Sequence, residues 1–235
     1  MKMKILAIGA HPDDLEILAG GTLLKYHDLG YKVNLLIVTD GSAGHEQIIP
    51  EKLRKIRYDE AKKTAEFLKA GFFWLGIRDE FIFANEDLRM KVIDVIRKIS
   101  PDVIITHSPN DYHPDHVNLS KLVLDASFVS TLPNIKTNNP NNQIVVPIFY
   151  MDTLTGVNFI PDYYVDISDQ FERKIKILQN HKSQIQWLKD HDDLDIIELV
   201  KISAKFRGFQ CGVSYAECFK HANVWPRLRP ERLLP

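Results

Sequence analysis

The stretch Ile5–Asp14, ILAIGAHPDD, decides how the chain is read. From Ile5 to Ala10 it is apolar or small without polar alternation, the pattern of a strand buried on both faces of a parallel sheet. The run stops at His11. Pro12 fixes the backbone, Asp13, Asp14 and Glu16 follow, and a helical pattern from Ile17 to Leu29 closes on Gly30. A second strand of the same kind covers Val33–Val38. Beyond a long polar loop, Thr39–Pro50, helical spacing covers Glu51–Lys69 and ends in Gly71. A short strand follows at Phe72–Leu75, then a helix at Leu88–Ile99 broken by Ser100-Pro101, then a third two-faced strand at Val103–Thr106. This alternation predicts an α/β fold: a mainly parallel sheet with helices on both faces.

The second half reads less regularly. PNIKTNNPNNQ, Pro133–Gln143, is rich in asparagine and predicts an exposed loop. Strands are expected at Val145–Tyr150 and Tyr163–Ile167, and helices at Gln170–Leu188 and Leu194–Phe206. The tail from Val224 to Pro235 is expected to be irregular and to lie against the domain or a neighbouring subunit. A chain of 235 residues fits one domain over 1–235. Its core covers about 1–130, and a C-terminal extension, 144–235, completes the sheet and the cleft.

A net charge of −1 gives no global field that would attract nucleic acid or an anionic membrane. The six-residue apolar run is too short for a signal segment or a membrane span, so a cytoplasmic protein is expected. Cys211 and Cys218 lack CxxC spacing and read as two reduced, partly buried thiols. No dinucleotide or phosphate-loop glycine pattern is present, and Gly20-Gly21 reads as a site of close helix packing.

In open parallel sheets, ligands bind at the carboxyl ends of the strands. His11, Asp13 and Asp14 are delivered there by the first strand. A helix-capping aspartate explains one of these residues but not a histidine with two carboxylates. THSPNDYHPDHVN, which follows Val103–Thr106, supplies His107, Asp111, His113, Asp115 and His116, with Pro114 suited to start a helix. Two loops of the same composition, each after a buried strand, point to a metal. Three His/Asp ligands with an open position suit catalytic zinc, and iron(II) fits a two-histidine, one-carboxylate set.

At AHPDDLE, Ala10–Glu16, and HPDH, His113–His116, the sequence resembles the zinc-dependent deacetylases of the PIG-L/LmbE family. The likeness covers a Rossmann-like core, Lys4–Ser130, and continues more weakly through HKSQ, His181–Gln184, and YAECF, Tyr215–Phe219. The resemblance implies removal of the acetyl group from an N-acetylglucosamine unit of a glycoconjugate, sugar nucleotide or thiol precursor, releasing acetate. An amidase acting on a thiol conjugate with the same centre is the alternative. It also implies zinc ligands His11, Asp14 and His116, Asp13 as general base, a protonated His113 facing the carbonyl, and Asp115 as the partner that orients and charges His113. Arg57 and Asp79 would contact the sugar, with Asp40, Ser42 or Glu46 as a further polar contact. Either Asp13 or His113 would protonate the leaving amine. Glu16 is expected to be structural, His107 to pack at the strand end and His181 to be solvent-exposed. The partner is a small N-acetylated sugar, and the protein is expected to be a homo-oligomer without an integral membrane segment.

Overall fold

The computed structural model describes residues 2–228. Seven strands form one sheet: β1 (Lys4–Gly9), β2 (Lys32–Thr39), β3 (Gly71–Ile77), β4 (Val103–Thr106), β5 (Ile148–Met151), β6 (Tyr163–Asp166) and β7 (Ala216–His221). Seven α-helices accompany them: α1 (Asp14–Asp28), α2 (Pro50–Phe67), α3 (Glu86–Ile99), α4 (Pro114–Val129), α5 (Phe171–Leu178), α6 (Lys182–Asp192) and α7 (Ile196–Cys211). The strand order is β3-β2-β1-β4-β5-β7-β6. The first five strands are parallel, and β7 runs antiparallel to both β5 and β6.

The unbroken apolar runs are explained by the two faces. Ile5 and Ala7 of β1 pack with Leu35, Ile37 and Ile105 beneath α1, α2 and α5. Leu6 and Ile8 pack with Leu36, Val38 and Ile104 beneath α3 and α4. Alternate residues therefore serve opposite cores, and neither face of the central strands meets water. After β1 the chain builds outward through β2 and β3. It then returns to the other side of β1 for β4, so the loops leaving β1 and β4 diverge and open a crevice at their carboxyl ends.

The Gly20-Gly21 pair lets α1 approach its neighbours. A Cβ on Gly21 would lie 2.8 Å from the Ile167 side chain, and Glu217 reaches across to accept the Gly21 and Thr22 amides. The asparagine-rich segment is a loop, pinned by Arg97, which donates to the carbonyls of Ser130, Leu132 and Ile135.

Three expectations need correction. Helix α1 begins at Asp14 rather than Ile17, because its first turn is acidic and carries no apolar period. The single helix expected over 170–188 is two, α5 and α6, interrupted at 179–181 where His181 turns into the interior. Strand β7 was not foreseen, because the interior-facing Glu217 breaks the apolar signature. Of the tail, Arg227 is buried and donates to the carbonyls of Val146 and Leu124, whereas residues 229–235 lie outside the described residues.

Candidate active site

Helices α1 and α4 start at the crevice, so their positive ends point into it. β1 delivers His11, the first residue of α1 is Asp14, and His116 stands in the first turn of α4. The three are nearly buried and converge. His11 Nδ1 lies 3.3 Å from His116 Nε2 and 3.4 Å from Asp14 Oδ2, and His116 Nε2 lies 3.3 Å from Asp14 Oδ1. Donors bound tetrahedrally at 2.0–2.1 Å stand roughly 3.3–3.4 Å apart; the His11–His116 and His116–Asp14 Oδ1 separations match a small divalent cation, while Asp14 Oδ2 accepts the His11 amide.

The remaining ring nitrogens agree with that fit. His116 Nδ1 is 3.0 Å from Asp111 Oδ2. His11 Nε2 and Asp115 Oδ2 are both buried without hydrogen-bond partners and face each other at 3.6 Å. Each ligand imidazole thus has a carboxylate behind it, the arrangement that fixes the metal-binding tautomer. Burial opposes charge on His116, yet Asp14 and Asp111 outweigh it and raise its pKa to about 9. Burial likewise opposes charge on His11, but Asp14 and Asp115 hold its pKa well above the ordinary value. Metal uptake therefore displaces protons from these rings. Asp111→Ala is expected to weaken metal binding by roughly 10–100-fold, read as the chelator concentration that strips half the metal. Unchanged retention would show that the His116–Asp111 contact is incidental.

His107 is fully buried and stacks on His116, with ring centroids 3.8 Å apart. Its Nε2 accepts from the Ala10 amide, and burial, helped by His116, pushes its pKa down to about 4.

Asp13 precedes α1, but its side chain makes no capping bond. Its backbone is held at φ 123°, and its carboxyl lines the cleft. Burial, then the charge of Asp14, raises its pKa to about 7, against the pull of His181, Arg57 and His11.

His113 and Asp115 are not paired as expected. The Asp115 carboxylate faces His11 and accepts the Ile82 amide. The link to His113 is the Asp115 backbone N–H, which donates to His113 Nδ1 at 3.3 Å. That bond leaves the proton on Nε2, near Glu80 Oε1 at 3.4 Å. Burial, with His11 and His116, lowers the His113 pKa, so the ring is a neutral N–H donor rather than the expected imidazolium.

Arg57 and Asp79 both line the cleft, a space of ≈ 260 Å³. Gly41, at φ 62°, lets the loop close over Arg57: a Cβ there would meet Arg57 Cδ at 2.5 Å. Asp79 is already engaged, accepting from Thr39 Oγ1 and the Ala43 amide. The more exposed acid beside it, Glu80, is the one with free capacity. Asp40, Ser42 and Glu46 are not among the residues that line this cleft, and Asp40 instead accepts the Ser42 and Asp79 amides.

His181 differs most from expectation. It is buried, with Nε2 2.8 Å from Glu16 Oε1. No metal-type spacing links the two residues, and the weak likeness at HKSQ marked the segment without pointing to Glu16. Two other polar residues of HKSQ are also used: Ser183 bonds Glu60 on α2, and Gln184 lines the cleft.

A compact two-histidine, one-aspartate cluster at the crevice of a Rossmann-like sheet, with an unpaired carboxyl and an N–H donor beside it, defines a metal-centre α/β hydrolase. The chain belongs to the PIG-L family, described as GlcNAc-PI de-N-acetylase, whose pattern matches residues 6–127. It is 30% identical to diacetylchitobiose deacetylase of Thermococcus kodakarensis, covering 91% of this chain and 81% of that protein. The solved structure of N,N'-diacetylchitobiose deacetylase from Pyrococcus horikoshii superposes with a TM-score of 0.81 at 30% identity, covering 93% and 83%. A 4-oxalmesaconate hydratase of Pseudomonas putida is 25% identical, covering 74% of this chain and 71% of the hydratase.

Proposed function

We propose that the protein is a zinc-dependent hydrolase that removes the acetyl group from an N-acetylglucosamine-containing substrate and releases acetate. The observation that carries this reading is the triad His11, Asp14 and His116 with Asp13 and His113 beside it in one cleft. The unit is one domain over 1–235, working in the cytoplasm as a homo-oligomer. Among the described residues no helix is long and apolar enough to cross a membrane. Zinc is the metal of this reading, and iron(II) suits the same donors.

His11 Nδ1, His116 Nε2 and the Asp14 carboxylate would hold the metal, which supplies Lewis-acid polarisation of a carbonyl and acidification of a water. Asp13 takes the proton of the attacking water, since its carboxyl is free of other bonds and lines the cleft. His113 Nε2–H donates to the carbonyl oxygen as negative charge grows there. Because neutral His113 has no proton to spare, Asp13 returns its proton to the leaving amine. Arg57 and Glu80 contact sugar hydroxyls, and Asp79 braces the loop that carries Gly44.

A hydratase acting on a polycarboxylate fits this cleft poorly. Among the described residues Arg57 is the one Lys or Arg that lines it, against Asp13, Asp14, Asp79 and Glu80, so even with the charge of a bound divalent cation counted the cleft offers no surplus positive charge for several carboxylates. Incubation of the zinc-loaded protein with N-acetylglucosamine conjugates is expected to release acetate. Failure on every such conjugate, with metal bound, would overturn the proposal, and cleavage of thiol-conjugate amides alone would favour the amidase. Turnover is expected to fall as pH drops through the Asp13 pKa. That value is about 7 without metal and lies lower beside a cation, because positive charge favours the carboxylate. An acidic limb of kcat/KM that is the same in wild type and in Asp13→Asn, with metal retained, would remove Asp13 as the base.

A further inference from the structure

The cleft has two unlike walls, and the reaction above uses one of them. The other is made by Ile17, Leu18, Leu154, Leu188, Leu194 and Ile196. All but Leu18 belong to a single packed cluster built around Leu178, Ile196 and Val200, so the wall is contiguous rather than a scatter of exposed side chains. It comes from the second turn of α1, a short 3-10 turn at Leu154–Gly156 and the junction of α6 with α7. Ile17, Leu154, Leu188 and Leu194 are only half-buried there.

An acetamido sugar alone does not match such a wall. Its acetyl methyl and the C–H faces of its ring cannot cover the half-buried Ile17, Leu154, Leu188 and Leu194 while the acetyl group is held at the polar end, and hydroxyls set against them would lose water without gaining a partner. The acetyl group must also lie at the polar end, because its carbonyl has to meet Asp13 and His113. Resting on the deacetylase reading, we infer that the substrate carries an apolar aglycone of several carbons, seated on the wall formed by Ile17, Leu154, Leu188, Leu194 and Ile196. The polar end then recognises the acetamide and ring hydroxyls, and the apolar wall selects the carrier.

The test is calorimetric binding and acetate release for methyl, butyl and hexyl glycosides of N-acetylglucosamine, using the zinc-loaded protein. A parallel series of methyl glucosaminides carries N-acetyl, N-butanoyl and N-hexanoyl groups. Affinity is expected to rise roughly three- to fourfold per buried methylene along the glycoside series and not along the N-acyl series. Leu188→Asn and Leu194→Asn, each checked for unchanged circular dichroism and metal content, are expected to flatten the rise. A flat glycoside series, a rise confined to the N-acyl series, or a rise that survives both variants overturns the inference. Acetate release with a flat series leaves the deacetylase reading standing and removes this one. Tighter binding of the hexyl glycoside without any acetate release does the reverse.

Discussion

Asp13→Gly is expected to cost roughly 10²–10⁴-fold in turnover while the metal stays bound and the fold becomes more stable. The first effect follows from the carboxyl being free of other hydrogen bonds and adjoining the metal ligand Asp14, whereas Glu80 is turned toward His113. The metal stays because neither oxygen of Asp13 belongs to the triad. The stability gain has two sources. A non-glycine residue at φ 123° stores strain on the order of 1–3 kcal/mol, which persists only where the surroundings enforce it, and glycine adopts that conformation freely. The carboxyl itself also opposes folding. Its folded pKa, about 7, exceeds the ordinary carboxylate value, so the unfolded chain ionises first. The group is harmless to stability at pH 4 and below. Its penalty grows as pH rises from there to about 7, then stays constant. Melting of metal-free protein should therefore show a larger gain for Asp13→Gly at pH 7 than at pH 4. A variant that melts lower than wild type at both pH values would contradict the strain argument. One that keeps wild-type turnover would contradict the assignment of the base.

That strain sits at the point where sequence was most informative about chemistry and silent about conformation. The AHPDD stretch contains the histidine and both aspartates, and the strand before it fixes where they emerge. The triad could therefore be anticipated from two segments, each following a buried strand. What could not be anticipated is which oxygen faces which ring. Asp115 neighbours His113 in sequence, yet the first turn of α4 aims its carboxylate at His11. Asp111 lies five residues before His116, and the loop folds back so that its carboxylate backs that ring. Such pairings depend on how a loop re-enters the crevice, and residue spacing does not encode this. His181 and Glu16 are 165 positions apart, and only the break between α5 and α6 brings them together. In the sheet, the strands buried on both faces were legible because they are apolar almost throughout, without the polar alternation of a half-exposed strand. Strand β7 was not, because its interior position 217 is charged.

Position 217 carries the other large expected effect: Glu217→Ala is expected to destabilise the protein by about 3–5 kcal/mol, the loss that follows when one member of a buried ion pair is removed. At about 2–4 °C per kcal/mol for a chain of this size, the melting temperature should fall by roughly 6–20 °C. Glu217 and Lys174 are both almost inaccessible, and Lys174 Nζ lies 2.5 Å from Glu217 Oε1. The same carboxylate accepts the amides of Gly21 and Thr22 at 2.8 and 2.7 Å, while Lys174 donates to the Ile17 carbonyl at 2.7 Å. The pair therefore clamps β7 and α5 onto the middle of α1, the helix whose first residue is Asp14. Truncation to alanine leaves a buried ammonium without its counter-charge and two amides without these acceptors, a cost that a lost surface ion pair would not incur. Glu217→Gln should be intermediate, since its carbonyl oxygen still accepts an amide but carries no charge for Lys174. The double variant Lys174→Met/Glu217→Leu should recover much of the loss, because apolar side chains of similar volume remove the need to bury charge. Thermal melts of the four proteins decide the matter. If Glu217→Ala melts within a degree of wild type, the pair is not buried in solution as it is in this fold. If the double variant is no better than the single one, the clamp acts through its hydrogen bonds to α1 rather than through charge.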